Sequence, residues 1–192
     1  MKHTLISFQS LLIGTLFSLL AFFSCKQNDA VDNLGKNNNT PKARESVTIG
    51  YINDEEEFVP IENEHIVAYY QHIEHLSSSA ILEDFEVREE VDNGTTHYYL
   101  YNHGIDGNDH AKIVSNLSVY NNDPTTLALA GKTCTCKSES CIEAWGCDAS
   151  LTAGGSCSCS PCTGEGSKCE KTSTTSSLSA ISNFFVSIGI VG

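Results

Sequence analysis

Apolar and polar positions follow regular periods along residues 46–131, and this patterning predicts a globular domain there. Apolar residues at alternate positions predict a strand at 46–52, and apolar residues at helical spacing predict a helix with one apolar face at about 62–77. Alternation on both sides of Asn93-Gly94 predicts a β-hairpin, because both residues tolerate a positive φ. A second helix is expected over 110–120, with Asp109 as its cap, and a last strand over 125–130.

The predicted order is therefore strand, helix, strand, strand, helix, strand. It is the order of the split βαβ, ferredoxin-like fold, so the predicted fold class is α+β. Right-handed crossovers would place both helices on one face of a four-stranded sheet. Such a fold supports many unrelated activities and indicates no function by itself.

The N-terminal segment has the pattern of an export signal. A basic start at Met1-Lys2-His3 precedes an apolar run that is densest over 11–23, and Ser24 then Cys25 follow. A small residue directly before a cysteine resembles the signal of bacterial lipoproteins, here of the Bacteroidota type with a Phe-rich lipobox. The resemblance implies a signal peptide over residues 1–24 and lipid on the Cys25 thiol. Palmitate-type acyl chains would then anchor the mature protein in a membrane.

An uncleaved membrane anchor is the alternative interpretation of this segment. Residues 4–23 reach the length of about 20 residues that a helix needs to span a bilayer. Lys26 after Cys25 favours the outer membrane, by resemblance to the same lipoproteins. Either interpretation predicts a cell-envelope protein, periplasmic or surface-exposed, with residues 25–45 as a flexible tether.

Acidic residues outnumber basic ones 24 to 11, which gives a net charge of −13. This charge argues against nucleic acid as a partner and against electrostatic attachment to an anionic membrane. Residues 46–109 carry most of the acidic side chains, and Arg88 is the only Lys or Arg among them. We expect a solvated acidic surface, with a divalent cation or a protein partner as the functional alternative.

Eight of the nine cysteines fall within residues 132–171, which predicts a separate Cys-rich module. Two halves of similar shape each begin with a Cys-x-Cys motif, and few apolar residues lie between the cysteines. Such a segment needs covalent or metal staples in order to fold. The tail at 172–192 begins Ser/Thr-rich and ends as an amphipathic helix, expected to dock on the domain or to contact a membrane or partner. The eight cysteines are Cys134, Cys136, Cys141, Cys147, Cys157, Cys159, Cys162 and Cys169.

Disulfides are the first expectation for these cysteines, because their number is even and the protein is predicted to be exported. The two members of one Cys-x-Cys motif are not expected to pair with each other, since so short a ring strains the bond. Two four-cysteine zinc sites, or a soft-metal site for copper, are the alternative. A third interpretation is redox chemistry, because Cys159-Ser160-Pro161-Cys162 resembles the CxPC motif of exported thioredoxin-like reductases. That motif requires a helix to begin at this point, and the following Thr163-Gly164 does not predict one.

A cluster of histidines on the first predicted helix is the other candidate metal site. His65, His72, His75 and Glu64 fall near one edge of the helix and could present a face for zinc or copper. The order is not HExxH, so metalloprotease chemistry is not indicated. A polar helix edge beside the apolar stripe explains the same residues without any metal.

No GxSxG, P-loop or GxGxxG motif is present, so the sequence points to no catalytic site. We therefore expect a non-enzymatic, lipid-anchored envelope protein with a binding or interaction role and no cofactor. The alternative is a metal-binding lipoprotein that uses zinc or copper, either in the Cys-rich module or on the His65, His72 and His75 helix.

Overall fold

The computed structural model describes residues 42–43, 47–139, 141, 146–161 and 168–191. The predicted signal peptide, Cys25 and Cys162 lie outside these residues. Within them the chain forms strands and two helices, which are listed here in chain order. They are β1 (Lys42–Ala43), β2 (Thr48–Ile52), β3 (Phe58–Pro60), α1 (Asn63–Ile73), β4 (Ile81–Asp92), β5 (Thr95–Asp106), β6 (Asp109–Tyr120), β7 (Asp123–Ser138), β8 (Asp148–Leu151), β9 (Cys157–Ser160), β10 (Glu170–Thr175) and α2 (Leu178–Ser187).

One eight-stranded sheet organises the described residues, in the order β1-β4-β5-β6-β7-β2-β3 with β10 also paired to β7. The β2–β7 pair is parallel, and the other pairs are antiparallel. Strand β7 is long enough to use β2 on one edge near its start and β10 on the same edge near its end. The change of partner occurs at Gly131, whose φ is 84° and whose carbonyl accepts a hydrogen bond from the Ser176 amide at 2.6 Å. A Cβ at Gly131 would lie 2.0 Å from the Ser176 carbonyl oxygen, so only glycine fits.

The predicted α+β, ferredoxin-like fold is wrong, because the described chain is mostly β with only two helices. Residues 110–120, predicted to be a helix, form strand β6. Gly107-Asn108 is a two-residue hairpin turn between β5 and β6, and Gly107 has a φ of 68°. The spacing of Ile113, Val114 and Leu117 fits a helix. The same segment also fits a strand, in which Ala111, Ile113 and Ser115 lie on one buried face. The β-branched residues and the partner strands on both sides settle that ambiguity in favour of a strand.

Two local predictions in this region are confirmed. The first helix is present as α1 (Asn63–Ile73), with Ile66, Tyr69 and Tyr70 buried. The hairpin turn between β4 and β5 falls at Asn93-Gly94, where φ is 50° and 80°. A few neighbouring residues determine the conformation of each of these segments, so the prediction depended little on tertiary contacts.

The first hydrophobic core lies between the sheet and the two helices. Helix α1 contributes Ile66, Tyr69 and Tyr70, and α2 contributes Ile181 and Phe185. The aromatic rings of these helices pack against one another and against the sheet. We call this side of the sheet the helix face.

A buried polar chain interrupts the helix-face core beneath the end of α1. The Tyr70 hydroxyl donates to Ser115 Oγ at 2.8 Å, and Ser115 Oγ lies 2.8 Å from Thr133 Oγ1. Glu74, just past the end of α1, is only 3% exposed and its carboxylate oxygens have no well-formed hydrogen bond. Desolvation raises the pKa of Glu74, while nearby Thr174 and Thr135 hydroxyls oppose the rise. Burial therefore favours the neutral form of this carboxyl.

A second core covers the opposite side of the sheet, which we call the disulfide face. It is built from Tyr99 and Val114 of the sheet together with cysteines and small apolar residues of the chain from 134 to 169. The β8–β9 hairpin lies over this face. Strand β7 continues through residues 131–132, where the sequence predicted a boundary between the domain and the Cys-rich module. The cysteine-bearing chain is therefore continuous with the main sheet.

Candidate binding face

A ladder of disulfides fastens β9 to β7 on the disulfide face. Residues two apart on a strand point to the same side, so the two cysteines of each Cys-x-Cys motif face the other strand together. Cys134 is bonded to Cys157 and Cys136 to Cys159, with Cα–Cα distances of 5.3 and 5.7 Å. The two bonds are parallel rungs, each joining residues 23 apart in sequence. The Cys-x-Cys spacing is thus what allows two neighbouring bonds between the same two strands.

The other described cysteines are disulfide-bonded too. Cys147 is bonded to Cys169, and Cys141 also forms a disulfide. The expected disulfide-rich module is confirmed for these residues, while Cys162 lies outside the described chain. Bonded sulfurs are not thiolates, so these seven cysteines offer no zinc or copper ligands in this state. Cys159 is bonded to Cys136 rather than within the Cys159–Cys162 motif, which removes the basis for the redox interpretation.

The histidines predicted to form a metal face on α1 do not converge. His75 lies beyond the end of α1 with a φ of 52°, so it leaves the helical edge that the spacing implied. The His72 ring stacks on Phe184 at 5.0 Å between centroids, and Glu64 is exposed. Across the described residues, no three His, Cys, Asp or Glu side chains are close enough to hold a metal ion together, His65 included.

The disulfide face also carries an open groove, which we call the ion-pair groove. Arg88, His103 and Lys112 project into it from three neighbouring strands, β4, β5 and β6. Each of the three contacts a carboxylate. These pairs are Arg88 with Glu86 at 2.7 Å, His103 with Asp84 at 3.4 Å, and Lys112 with Asp148 of β8.

Tyr101 forms the centre of the groove floor, with Val114 and Ala149 beside it. The Arg88 guanidinium lies 4.2 Å from the centre of the Tyr101 ring, which is a cation–π contact. The Tyr101 hydroxyl donates to Glu90 Oε1 at 3.3 Å. Burial, and then the negative charge of Glu90, raise the pKa of Tyr101, so the hydroxyl stays protonated at neutral pH.

A backbone irregularity in β4 places Asp84 at the rim of the groove. The β4–β5 register shifts between Glu83 and Glu86, and Asp84 has a φ of 52°, in the left-handed region. Bulges of this kind redirect a side chain and are common beside functional sites. Here the bulge directs the Asp84 carboxylate toward His103.

The ion pairs of the groove contribute little to stability, because they are accessible to water. Arg88 and Glu86 are each more than a third exposed, and such pairs are typically worth about 0–1 kcal/mol. Their arrangement is better suited to recognition. Alternating donors and acceptors around an aromatic floor can hydrogen-bond a polar ligand that carries both kinds of group.

The sequence alone does not predict this groove, because its residues are far apart along the chain. One signal was present, since Arg88 is the only Lys or Arg in an acidic stretch of more than sixty positions. Its place beside Lys112 and His103 follows from the pairing of β4, β5 and β6. Strand pairing cannot be derived from the positions of single residues.

Comparisons with protein families, with curated proteins and with solved structures found no match. Among the described residues, neither helix is long and apolar enough to cross a membrane.

Proposed function

We propose that this chain is an exported, lipid-anchored protein of the cell envelope that binds a polar ligand, without catalysing a reaction, on its disulfide face. The disulfide ladder is the observation that carries the proposal. Disulfides persist in oxidising compartments and are rare in the cytosol, which agrees with the export signal. The ladder also holds β8 and β9 on the sheet, and β8 supplies Asp148 to the ion-pair groove.

Binding is favoured over catalysis by the way that the groove's charged groups are used. Arg88, His103 and Lys112 each contact a carboxylate and the Tyr101 hydroxyl contacts Glu90, so the groups form pairs rather than an activated nucleophile beside a base. Paired groups keep fixed positions and can each offer a further hydrogen bond to a ligand. An oligosaccharide or a polar peptide has the required mixture of donors and acceptors.

The Cys25→Ala variant tests the anchoring part of the proposal. When the full chain is expressed in a bacterial host with a palmitate analogue, we expect the wild-type protein to be labelled and recovered with membranes. Cys25→Ala should be unlabelled, because its side chain offers no thiol to acylate. Ser24→Ala is the matched control, since it keeps a small residue before the cysteine and should retain the label. An unlabelled wild-type protein that still sediments with membranes would instead support an uncleaved anchor.

The Arg88→Gln variant tests the binding part. We expect the full chain, purified in a non-ionic detergent, to be retained by a subset of probes on an oligosaccharide array or a peptide array. Arg88→Gln should lose about tenfold in apparent affinity for the same probes, because hydrogen bonds to charged groups are worth about 1.5–3 kcal/mol. Lys171→Gln, on exposed β10, removes one positive charge away from the groove and should bind as wild type. Equal retention of the Arg88 and wild-type proteins, or no retention on either array, would contradict the proposal.

A further inference from the structure

A second, smaller cavity lies on the disulfide face, at the end of the ladder. Its volume is about 160 Å³, and it is lined by residues of β5, β6, β7 and β8 and of the turn that joins β8 to β9. Its size suits a small molecule or one end of a larger ligand, since a cavity of about 150 Å³ holds a benzene molecule. No residue of the ion-pair groove lines it. Its polar side chains include His97, Asn116 and Lys132, and its apolar walls include Tyr99, Leu117 and Leu151.

Lys132 enters the cavity because it occupies the next position of the disulfide ladder. It lies two residues before Cys134 on β7, so its side chain points to the same face of the sheet. Gly155 lies two residues before Cys157, and it faces Lys132 as Cys157 faces Cys134. A Cβ at Gly155 would lie only 2.3 Å from Lys132 Nζ. The absence of a side chain at Gly155 therefore makes the room that the ammonium group occupies.

Asn116 supplies a second donor, because the β6–β7 ladder is interrupted beside it. The register shifts between Ser115 and Leu117, so Asn116 has no partner residue on β7. Its side-chain Oδ1 instead accepts a hydrogen bond from the Lys132 backbone amide at 2.8 Å. This bond fixes the side-chain amide with its Nδ2 group still able to donate. His97, from β5, also lines the cavity.

The charge in this cavity is unlike that of the rest of the chain. No Asp or Glu is among its lining residues, although the chain as a whole has a net charge of −13. Arg88, Lys112 and Lys137 each pair with a carboxylate, at Glu86, Asp148 and Asp106. Within residues 47–139, Lys132 is the exception and forms no ion pair with a described carboxylate.

Glu90, which faces His97 across the β4–β5 pair, does not add a negative charge to the lining of the cavity. Glu90 lies opposite His97 in the register, but its carboxylate accepts the Tyr101 hydroxyl instead. It is not among the residues that line the cavity. The cavity thus brings together an ammonium, an oriented amide and an imidazole, and no described carboxylate lines it or pairs with the ammonium.

We propose that this cavity binds a small oxyanion, a carboxylate or a phosphate group, through Lys132 with Asn116 and His97 as additional donors. An anion would supply the negative partner that the Lys132 ammonium does not find among the described residues. Hydrogen bonds between ionised partners are stronger than those between neutral groups. The apolar walls would hold the carbon skeleton next to the anionic group. The lining residues of this cavity and those of the ion-pair groove do not overlap, so the anion site can be tested apart from the groove.

The test is a titration of the full chain, in non-ionic detergent and at fixed ionic strength, with sodium acetate and separately with inorganic phosphate. Amide NMR signals report binding, and we expect saturable shifts at Asn116, Lys132 and the Gly154-Gly155 turn. Acetamide, which has the shape of acetate without its charge, should produce none. The anion that saturates at the lower concentration identifies the group as carboxylate or phosphate.

Lys132→Met keeps most of the length of the side chain and removes its charge, so it should weaken binding by about tenfold or more. Lys171→Met is the matched control, because it removes one positive charge from exposed β10, and Lys171 lines neither this cavity nor the ion-pair groove. It should bind the anion as wild type does. Unchanged amide signals elsewhere in the chain will show that each variant is folded. Saturation by neither anion, equal shifts with acetamide, or undiminished binding by Lys132→Met would each overturn the assignment.

Discussion

Replacing both Cys134 and Cys157 with alanine is expected to lower the free energy of unfolding by about 2–4 kcal/mol, the usual contribution of a native disulfide. The bond joins residues 23 apart in sequence, so without it the unfolded chain gains conformational freedom. The layer above the sheet is rich in Ser, Gly and Thr and contains few large apolar side chains, so burial alone cannot compensate for the loss. Urea denaturation of the non-reduced full chain in detergent measures the effect.

A crossed pair of substitutions provides the control for this prediction. Cys134→Ala with Cys159→Ala also removes two cysteines, but it removes one from each rung of the ladder. Cys136 and Cys157 then both lose their partners, so this variant should be clearly less stable than the matched pair. Equal stability of the matched and crossed variants would show that the two rungs are not the bonds that hold β9 to β7.

Phe185→Ala is expected to lower the free energy of unfolding by about 3–5 kcal/mol, as large-to-small changes of buried aromatic residues do. The Phe185 side chain is fully buried and stacks on Tyr51 with ring centroids 4.8 Å apart. It also contacts the Tyr69 ring at 5.6 Å, and so joins α2, α1 and the sheet. Removing the ring leaves a cavity where these three elements meet. The same urea denaturation experiment measures this loss.

The neighbouring residue supplies the matched comparison for Phe185. Val186 lies on the same helix and is 49% exposed, so Val186→Ala should change stability by no more than about 0.5 kcal/mol. Comparable losses at both positions would mean that α2 contributes through its own helical stability rather than through its contact with the sheet. A negligible effect at Phe185 would mean that α2 does not close the helix-face core.

The sequence-based predictions agree with the structure where a few adjacent residues determine the local conformation. The Asn93-Gly94 turn needs only two residues that accept a positive φ, and α1 needs only an apolar stripe of the right period. The avoidance of bonds within each Cys-x-Cys motif likewise follows from the covalent geometry of neighbouring residues. In each case the sequence-based prediction depended on short-range chemistry, which the fold then preserved.

The sequence-based predictions and the structure disagree where the apolar residues fit two kinds of secondary structure equally well. The apolar residues of 110–120 satisfy both a helical and an alternating period, and the structure selects the strand because β5 and β7 lie on both sides of it. The parallel pairing of β2 with β7 joins segments about eighty positions apart. The residue patterns of β2 and β7 do not specify that these two strands pair, so the predicted ferredoxin-like order could not anticipate this sheet.

By itself, the sequence determined that the chain is acidic, that it begins like an exported lipoprotein, and that its cysteine-rich segment needs staples. These properties depend on composition and on short motifs, and they hold for any fold. Only the tertiary structure decided that Cys134 faces Cys157, that Arg88 meets Lys112 in one groove, and that Lys132 projects over Gly155 with no described carboxylate paired to it. Those placements depend on strand register, in which a shift of one residue would turn every side chain to the other face of the sheet.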